Sequence, residues 1–441
     1  MVAMSASASF MRTRLYRKID LRVLSILFVC YAFSYVDRIN IGFAKLQMQR
    51  DLGFSDAVYG LGAGIFFLGY VLFEIPSNLL LTKIGARRTF ARILFLWGAT
   101  SAAMLFVREA HLFYILRFML GVFEAGFAPG MIFYLTLWYS EARRARAIAI
   151  VLCAAPIGGM FGGPFSSWIM TSLSGAHGIA GWQWMFLFEG VPAILLGILA
   201  FCCLDDSPRE ARWLSVDEKA LLETDLQSNA PTSHDSKSLL QIIADPRIYR
   251  LAATYFCLIC GLYAVGFWLP TILKESGLSS LMEIGFYSAI PYLAAIIGMY
   301  ALAQRSDALQ ERRWHSVLAA LLAAVALTVA GFSTTHFVAA LISITIATAA
   351  MYASYTVFWA IPMGYLKGPG AAGGIALINS IGLLGGFLSP TVIGWAKTMT
   401  GSIQAGLFIM VGLLVAGAIL LMMERVVVSE EGISPSQQPS L

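Results

Sequence analysis

Four ionisable residues stand out inside long apolar stretches in the first half of this 441-residue chain: Asp37, Arg38, Arg117 and Glu124. An ionised side chain at the centre of a bilayer costs about 2.5–3.5 kcal/mol on an insertion scale, so such residues are functional by default. Arginine stays charged at any working pH and presents a fork of N–H donors that matches a carboxylate. We therefore predict that Arg38 and Arg117 bind an anionic group.

Asp37 and Glu124 are groups that can take up and release a proton. Burial favours the neutral form of a carboxyl group and a neighbouring arginine favours the ionised form, so a partly dry cavity can balance the two effects. Arg117 and Glu124 are seven residues apart, which puts them on one face of a helix. We predict that Asp37 and Glu124 exchange protons. The alternative is that Asp37 neutralises Arg38 and Glu124 neutralises Arg117 while the helices pack.

The stretches that hold these residues have the composition of membrane-spanning helices. Hydrophobic residues make up 59% of the chain and charged residues 12%, against about 25% charged residues in soluble domains. A helix needs about 20 apolar residues to cross the hydrocarbon core, where backbone groups must bond within their own segment. The sequence predicts an all-α membrane protein with twelve transmembrane helices, at 21–41, 58–81, 90–107, 112–139, 147–171, 183–204, 248–273, 284–304, 315–333, 337–362, 371–396 and 402–424.

One long polar segment, 205–247, separates six predicted helices from the next six. This pattern indicates two transmembrane bundles joined by a linker. The predicted parts are a leader at 1–20, a first six-helix bundle at 21–204, a linker at 205–247, a second six-helix bundle at 248–424 and a tail at 425–441.

A weak internal repeat supports this division. The Arg87-Arg88 pair and the Arg312-Arg313 pair are 225 residues apart, close to the offset between the first and seventh predicted helices. Under this offset Arg38 corresponds to Tyr263, and the counterparts of Arg117 and Glu124 are likewise uncharged. If these charges served a structural need common to both bundles, the second bundle would carry charged residues at the corresponding positions. The charges of the first bundle are therefore interpreted as functional.

Basic residues are distributed unequally between the two sides of the predicted membrane. Of the 30 lysines and arginines, most fall in the loops on the side of the N-terminus. Because cytoplasmic loops collect Lys and Arg, both termini are predicted to be cytoplasmic. The basic residues on the opposite side are Lys45, Arg50, Arg108, Lys274 and Lys397.

Several motifs together resemble the anion:cation symporter family of the major facilitator superfamily. They are Asp37-Arg38-Ile39-Asn40-Ile41-Gly42, Glu74-Ile75-Pro76-Ser77-Asn78, Gly85-Ala86-Arg87-Arg88, Arg117-Phe118-Met119-Leu120-Gly121 and Gly181-Trp182-Gln183-Trp184. The resemblance covers the chain nearly end to end and is most specific in the first six helices. It implies the twelve-helix major facilitator fold, alternating access and organic anion substrates, as in bacterial carriers for tartrate, phthalate, hydroxyphenylacetate and sugar acids.

The resemblance also carries over to single positions. Asp37 and Glu124 match acidic positions that the family uses for proton coupling, while Tyr35, Tyr70, Trp359 and Asn379 match positions that contact substrate in sugar-acid members. Core packing or a place in an interfacial aromatic belt is the alternative for each aromatic residue. The chain departs from those members at Ala155, where they carry a polar side chain, and this favours a less hydroxylated or aromatic carboxylate.

These observations predict a secondary active transporter that imports a small organic anion, a mono- or dicarboxylate, with a proton. Sodium is the alternative coupling ion, export or exchange of the same anions is the alternative direction, and a membrane sensor without transport is the alternative class. We interpret Glu74 as a residue with a structural role, either a helix-to-helix hydrogen bond or a loop contact, and Glu189 as a residue with a similar role.

The sequence lacks the motifs of an enzyme or of a cofactor site. It contains no phosphate-binding G-x-x-x-x-G-K-[ST] motif, and Cys257 and Cys260 have no second metal-binding pair nearby. We expect no enzymatic activity, no cofactor, no metal and no nucleic-acid partner. The chain is expected to be a monomer in the lipid bilayer of a bacterial inner membrane.

Overall fold

The computed structural model describes residues 2–227, 239–366 and 371–424, so the predicted tail and part of the predicted linker lie outside it. Within these residues twelve helices are long and apolar enough to cross a membrane. The same described residues contain no β-strand. We number the helices in chain order, from α1 to α12: Phe10–Leu52, Asp56–Ile84, Ala86–Phe106, Ala110–Trp138, Arg143–Ser172, Gly181–Cys203, Pro246–Glu275, Leu281–Leu309, Arg313–Phe332, Phe337–Tyr365, Gly373–Thr400 and Gln404–Met422.

Helix α1 is about twice as long as the sequence predicts. It contains a π-helical segment, Asp20–Leu24, where the apolar span continues into the leader. Arg12 and Lys18 of the leader pair with Asp225 and Glu218 of the linker helix Val216–Gln227, at 2.7 and 2.5 Å. Hydropathy does not reveal this extension, because a helix that leaves the bilayer keeps its geometry and loses its apolar composition.

Helix α4 is broken immediately after Glu124. Its first segment is Ala110–Glu124 and its second is Phe127–Trp138. Gly126, between them, has a φ of 82°, and a Cβ at this position would lie 2.7 Å from the Cβ of Ser77 in α2. Glycine is therefore required for the break that ends the first segment at Glu124.

The helices pack in two groups of six, α1–α6 and α7–α12, which we call the first and the second bundle. In the first, α3 packs on α6, α2 on α4, and α1 on α5 and α6; in the second, α9 packs on α10 and α12, α8 on α10, and α7 on α11 and α12. The bundles meet along three helix pairs: α2 with α11, α5 with α8, and α1 with α7.

Glycines allow the bundles to approach closely on the side opposite the linker helix. We call this side, which carries the loops 53–55, 173–180, 276–280 and 401–403, the distal face. A Cβ at Gly60 of α2 would lie 2.3 Å from the carbonyl oxygen of Pro390 in α11, and a Cβ at Gly394 would lie 2.4 Å from the carbonyl oxygen of Asp56. The two backbones touch only because side chains are missing there.

An ionic cluster joins the bundles at the distal face. Lys45 Nζ lies 2.7 Å from Asp56 Oδ1 and donates to Thr271 Oγ1 at 3.0 Å. Lys397 Nζ lies 2.5 Å from Glu275 Oε1 and 3.5 Å from Asp56 Oδ2. The Lys45 side chain is only 1% exposed, so the distal ends of α1, α2, α7 and α11 are closed against one another.

Candidate functional site

Arg38 and Glu124 form a buried ion pair between α1 and α4. Arg38 Nε and Nη2 donate to Glu124 Oε1 at 2.8 and 2.6 Å, and Ser34 Oγ donates to the same oxygen at 2.8 Å. Glu124 is fully buried and Arg38 is 6% exposed. The second carboxylate oxygen, Oε2, is buried without a hydrogen-bond partner. All three hydrogen bonds to Glu124 therefore end on Oε1.

The Arg38 guanidinium also contacts the second bundle. Its Nη1 donates to the Tyr263 hydroxyl of α7 at 3.1 Å. On the other side its central carbon lies 5.1 Å from the centroid of the Tyr70 ring and 5.5 Å from that of Phe66, both in α2. Arg38 therefore joins four helices, and it combines a fixed positive charge with an exchangeable carboxylate partner.

Arg117 occupies a different environment. Its Nε donates to the carbonyl oxygen of Gly62 at 3.1 Å and its Nη2 to that of Ala63 at 3.4 Å. The side chain is 0% exposed and Nη1 has no hydrogen-bond partner. Arg117 and Arg38 both lie near the Phe66 ring, with Arg117 at 5.3 Å from its centroid, but Arg117 binds the α2 backbone. The predicted joint anion site of Arg38 and Arg117 is therefore not assembled in this conformation.

Asp37 is hydrogen-bonded to neutral donors. Ser101 Oγ donates to Oδ1 at 2.7 Å, Asn40 Nδ2 donates to the same oxygen at 3.1 Å, and the Trp97 indole donates to Oδ2. The pairs considered from the sequence, Asp37 with Arg38 and Glu124 with Arg117, are therefore not the pairs that form. The adjacent residues of α1 face different partners: Asp37 bonds α3, and Arg38 bonds α4 and α7.

The aromatic residues predicted to contact substrate lie in two clusters. The hydroxyls of Tyr35 and Tyr352 hydrogen-bond each other across the two bundles, and the Tyr35 ring packs edge-on against Tyr292 with centroids 6.1 Å apart. Trp359 packs edge-on against Tyr255, with centroids 4.9 Å apart. The rings of Tyr292, Tyr352, Tyr255 and Trp359 supply aromatic surface from the second bundle.

Asn379 lies apart from the Arg38–Glu124 pair. Its Nδ2 donates to Glu74 Oε1 at 2.9 Å, and Ser380 Oγ donates to Glu74 Oε2 at 3.4 Å. This contact confirms that Glu74 hydrogen-bonds another helix, here α11. The structure thus brings Arg38, Glu124 and Tyr70 together and places Asn379 on a separate contact between α2 and α11.

Comparison with known proteins assigns the family. Residues 27–390 match the family model of the Major Facilitator Superfamily. The chain belongs to this superfamily. It is a multi-pass integral membrane transporter and not an enzyme.

Relatives of this major facilitator cover nearly all of its length. A protein of Agrobacterium vitis named as a tartrate transporter is 48% identical over 413 residues, which cover 93% of this chain and 95% of that protein. The metabolite transport protein NicT of Pseudomonas putida is 42% identical over 92% of this chain and 93% of its own length. The crystal structure of a bacterial homolog to the human lysosomal transporter Spinster superposes with a TM-score of 0.75 at 18% identity, covering 91% of this chain and 95% of that one.

Sequence reasoning missed several polar partners in this major facilitator. Ser34, Asn40 and Ser101 hold the predicted acids, and Ser166 and Asn40 bond Glu189. Asn40 could have been found, because it lies three residues after Asp37 on the same face of α1. The serines carried no signal, since their partners are distant in sequence.

Proposed function

We propose that this transporter imports a small organic anion together with a proton by alternating access. The single observation that carries the proposal is the buried Arg38–Glu124 pair. A permanently charged fork is held there by a carboxylate that a proton can neutralise, at the point where the first bundle touches Tyr263 of the second.

The coupling follows from competition for the Arg38 fork. An ionised Glu124 occupies Nε and Nη2, so an incoming carboxylate finds no free donor pair. When a proton neutralises Glu124, the guanidinium loses its anionic partner and binds the carboxylate of the substrate instead. Release of the proton restores the Arg38–Glu124 pair and expels the substrate.

Alternating access requires the contacts between the bundles to separate on one face at a time. The distal face is closed by the Gly60 and Gly394 backbone contacts and by the ionic cluster around Lys45 and Lys397. We place the linker face in the cytoplasm because its loops carry most of the basic residues. The domains predicted at 21–204 and 248–424 are then the moving bodies, in the inner membrane of a bacterium.

The substrate class is a carboxylate. Support comes from the relative named as a tartrate transporter and from the fork geometry of Arg38. Tyr35, Tyr70 and Trp359 remain proposed substrate contacts, as does Asn379 once its bond to Glu74 is exchanged. Arg117 remains a proposed anion-binding residue, because its Nη1 has no partner that it would have to give up.

Transport by purified protein in liposomes tests the proposal. Vesicles are loaded with a pH dye, and tartrate, phthalate and hydroxyphenylacetate are added in turn under a proton gradient, with a sodium gradient as the parallel condition. Uptake of one of these acids with proton entry is expected. Exchange without proton movement would show that the protein is an exchanger. Uptake that follows only the sodium gradient would show that sodium is the coupling ion. No flux of any organic acid would overturn the proposal that the protein transports organic anions.

A further inference from the structure

Glu189 of α6 and Asp37 of α1 share one hydrogen-bond donor inside the first bundle. Asn40 Nδ2 donates to Asp37 Oδ1 at 3.1 Å and to Glu189 Oε2 at 2.8 Å. The three side chains are 0–2% exposed. The two acceptor oxygens are therefore about 6 Å apart or less, a distance at which two carboxylates interact directly.

Neutral groups provide the remaining hydrogen bonds to this pair of acids. Ser166 Oγ of α5 donates to Glu189 Oε1 at 2.6 Å, and Trp97 and Ser101 of α3 donate to Asp37. Among the hydrogen bonds and ion pairs of residues 2–227, 239–366 and 371–424, no Lys or Arg nitrogen contacts either acid.

Within the described part of the chain, the helices packed around Glu189 place no lysine or arginine in contact with it. The segment Ala154–Ser172 of α5 contains no charged residue, and the arginines of α3 lie at its linker-face end. Arg117 of α4, which bonds only backbone carbonyls, interacts electrostatically with Asp37 and not with Glu189. Glu124 also interacts electrostatically with Asp37, but it is paired with Arg38. Asp37 is the ionisable residue that interacts electrostatically with Glu189.

The hydrogen bonds indicate where a proton sits. Two ionised carboxylates this close, buried and with no lysine or arginine in contact with either, would repel each other in a medium that screens charge poorly. Asp37 accepts three hydrogen bonds, which stabilise its ionised form, whereas Glu189 accepts two. In addition, Asn40 Oδ1 is fully buried without a partner, and the O–H of a protonated carboxyl group is the donor that this oxygen lacks.

We propose that Glu189 carries a proton and that Asp37, Asn40 and Glu189 form a second proton site, separate from the Arg38–Glu124 pair. Sequence reasoning gave Glu189 a structural role only. The part of this site in coupling rests on the proposed function, which the site deepens. Because Asp37 directly precedes Arg38 in α1, a change of charge at the site alters the electrostatic environment of the Arg38 guanidinium. When the proton leaves, an O–H bond of the carboxyl group breaks and one to water forms, with no redox change.

Infrared spectroscopy of the full-length protein in lipid vesicles tests the proton site without any substrate. A protonated-carboxyl band is expected at neutral pH in potassium buffer. It should be lost in Glu189→Gln, retained in Glu124→Gln, and shifted in frequency in Asp37→Asn, which removes the charged neighbour. Glu74→Gln identifies the contribution of the other buried acid with neutral partners.

Three infrared results would overturn the proton site. These are a band that Glu189→Gln leaves intact, a Glu189 band whose frequency does not respond to Asp37→Asn, and a band that sodium chloride removes, which would assign the site to sodium. Wild-type behaviour of the variants in size-exclusion chromatography shows that they are folded.

Proton counting tests the role in coupling. With the acid that the wild type transports, Glu189→Gln should keep substrate counterflow and move one proton fewer per substrate molecule, while Glu189→Asp should keep the wild-type ratio. An unchanged ratio in Glu189→Gln would overturn the coupling role. If the wild type moves no organic acid, the proposed function fails, and the infrared result still decides whether Glu189 holds a proton.

Discussion

Arg38 and Arg117 show how far residue types alone predict a site. Both were predicted from the free-energy cost of a buried charge, and both are buried. Their partners were not predictable, because the orientation of a guanidinium depends on neighbours from other helices: Glu124 and Tyr263 for Arg38, and two α2 carbonyl groups for Arg117. The sequence therefore predicted the candidate residues, and the fold determined how they pair.

The fork of Arg38 is expected to matter beyond its charge. Arg38→Lys keeps the positive charge and loses the paired donors, at a cost of about 1.5–3 kcal/mol for a hydrogen bond to a charged group, or roughly 10- to 100-fold in affinity. Substrate-dependent thermal stabilisation of the purified protein measures the change.

Arg313→Lys is the matched control for this substitution. Arg313 donates to the carbonyl oxygen of Glu424, far from the ion pair, and its replacement should leave the affinity unchanged. Wild-type affinity in Arg38→Lys would show that charge alone suffices and that the fork has no role.

Glu124→Gln should separate binding from coupling. The amide keeps an oxygen that can accept from Arg38 and Ser34 and removes the exchangeable proton. Substrate counterflow is expected to continue, while accumulation driven by a proton gradient falls to the level seen without a gradient. Gradient-driven accumulation at the wild-type level would remove Glu124 from the coupling step.

At the scale of helices, hydropathy predicted every span, because lipid imposes the same length on each of them. It did not predict that α1 extends into the leader or that α4 is broken after Glu124. The Gly126 break depends on one backbone angle and on the close approach of Ser77. Neither feature changes the mean hydropathy of a 20-residue window.

Close packing of α2 against α11 should keep the distal face closed. Gly394→Leu places a side chain where a Cβ already lies 2.4 Å from the Asp56 carbonyl oxygen, so the two helices must separate. In a cysteine-free background with Thr271→Cys, a residue that is 3% exposed, a membrane-impermeant thiol reagent added at the distal face should react faster.

Gly412→Leu in α12 is the matched glycine control, because a Cβ there meets nothing within 4 Å. It should leave the reaction rate at Thr271→Cys unchanged. Equal rates in Gly394→Leu and Gly412→Leu would mean that the glycine contact does not hold the distal face closed.

At the scale of the whole molecule, one contact joins two residues that correspond under the predicted repeat. Arg38 donates to Tyr263, the residue 225 positions later that corresponds to it in the second half. Corresponding residues of two related bundles touch only near the axis that relates them. One half carries a charge at this axis and the other a neutral hydroxyl, which is the asymmetry that the sequence predicted.

A reversible covalent link across the bundles should stop transport. The Ala57 backbone N–H of α2 donates to Thr398 Oγ1 of α11 at 2.9 Å at the distal face, so we expect cysteines at these two positions to be close enough to form a disulfide. Oxidation should abolish uptake, and reduction should restore it.

A cysteine pair at Ser316 and Ser354 is the control for this link. The two hydroxyls lie 3.0 Å apart on α9 and α10, within the second bundle, so oxidation should leave uptake intact. Uptake that continues after oxidation of the Ala57→Cys, Thr398→Cys variant would exclude opening of the distal face from the transport cycle.

The ionic cluster at the distal face is arranged so that the bundles can separate without leaving a lone ion. Lys45 has Asp56 beside it on the first bundle, and Lys397 has Glu275 beside it on the second. The interactions of the two lysines that are lost on opening are a bond to a threonine hydroxyl, a cation–π contact of Lys45 with Trp268 at 3.9 Å and a 3.5 Å charge contact. Each bundle would keep its own counterion when the distal face opens. Water entering between the bundles would hydrate ion pairs that are already neutral, so the electrostatic barrier to opening is small.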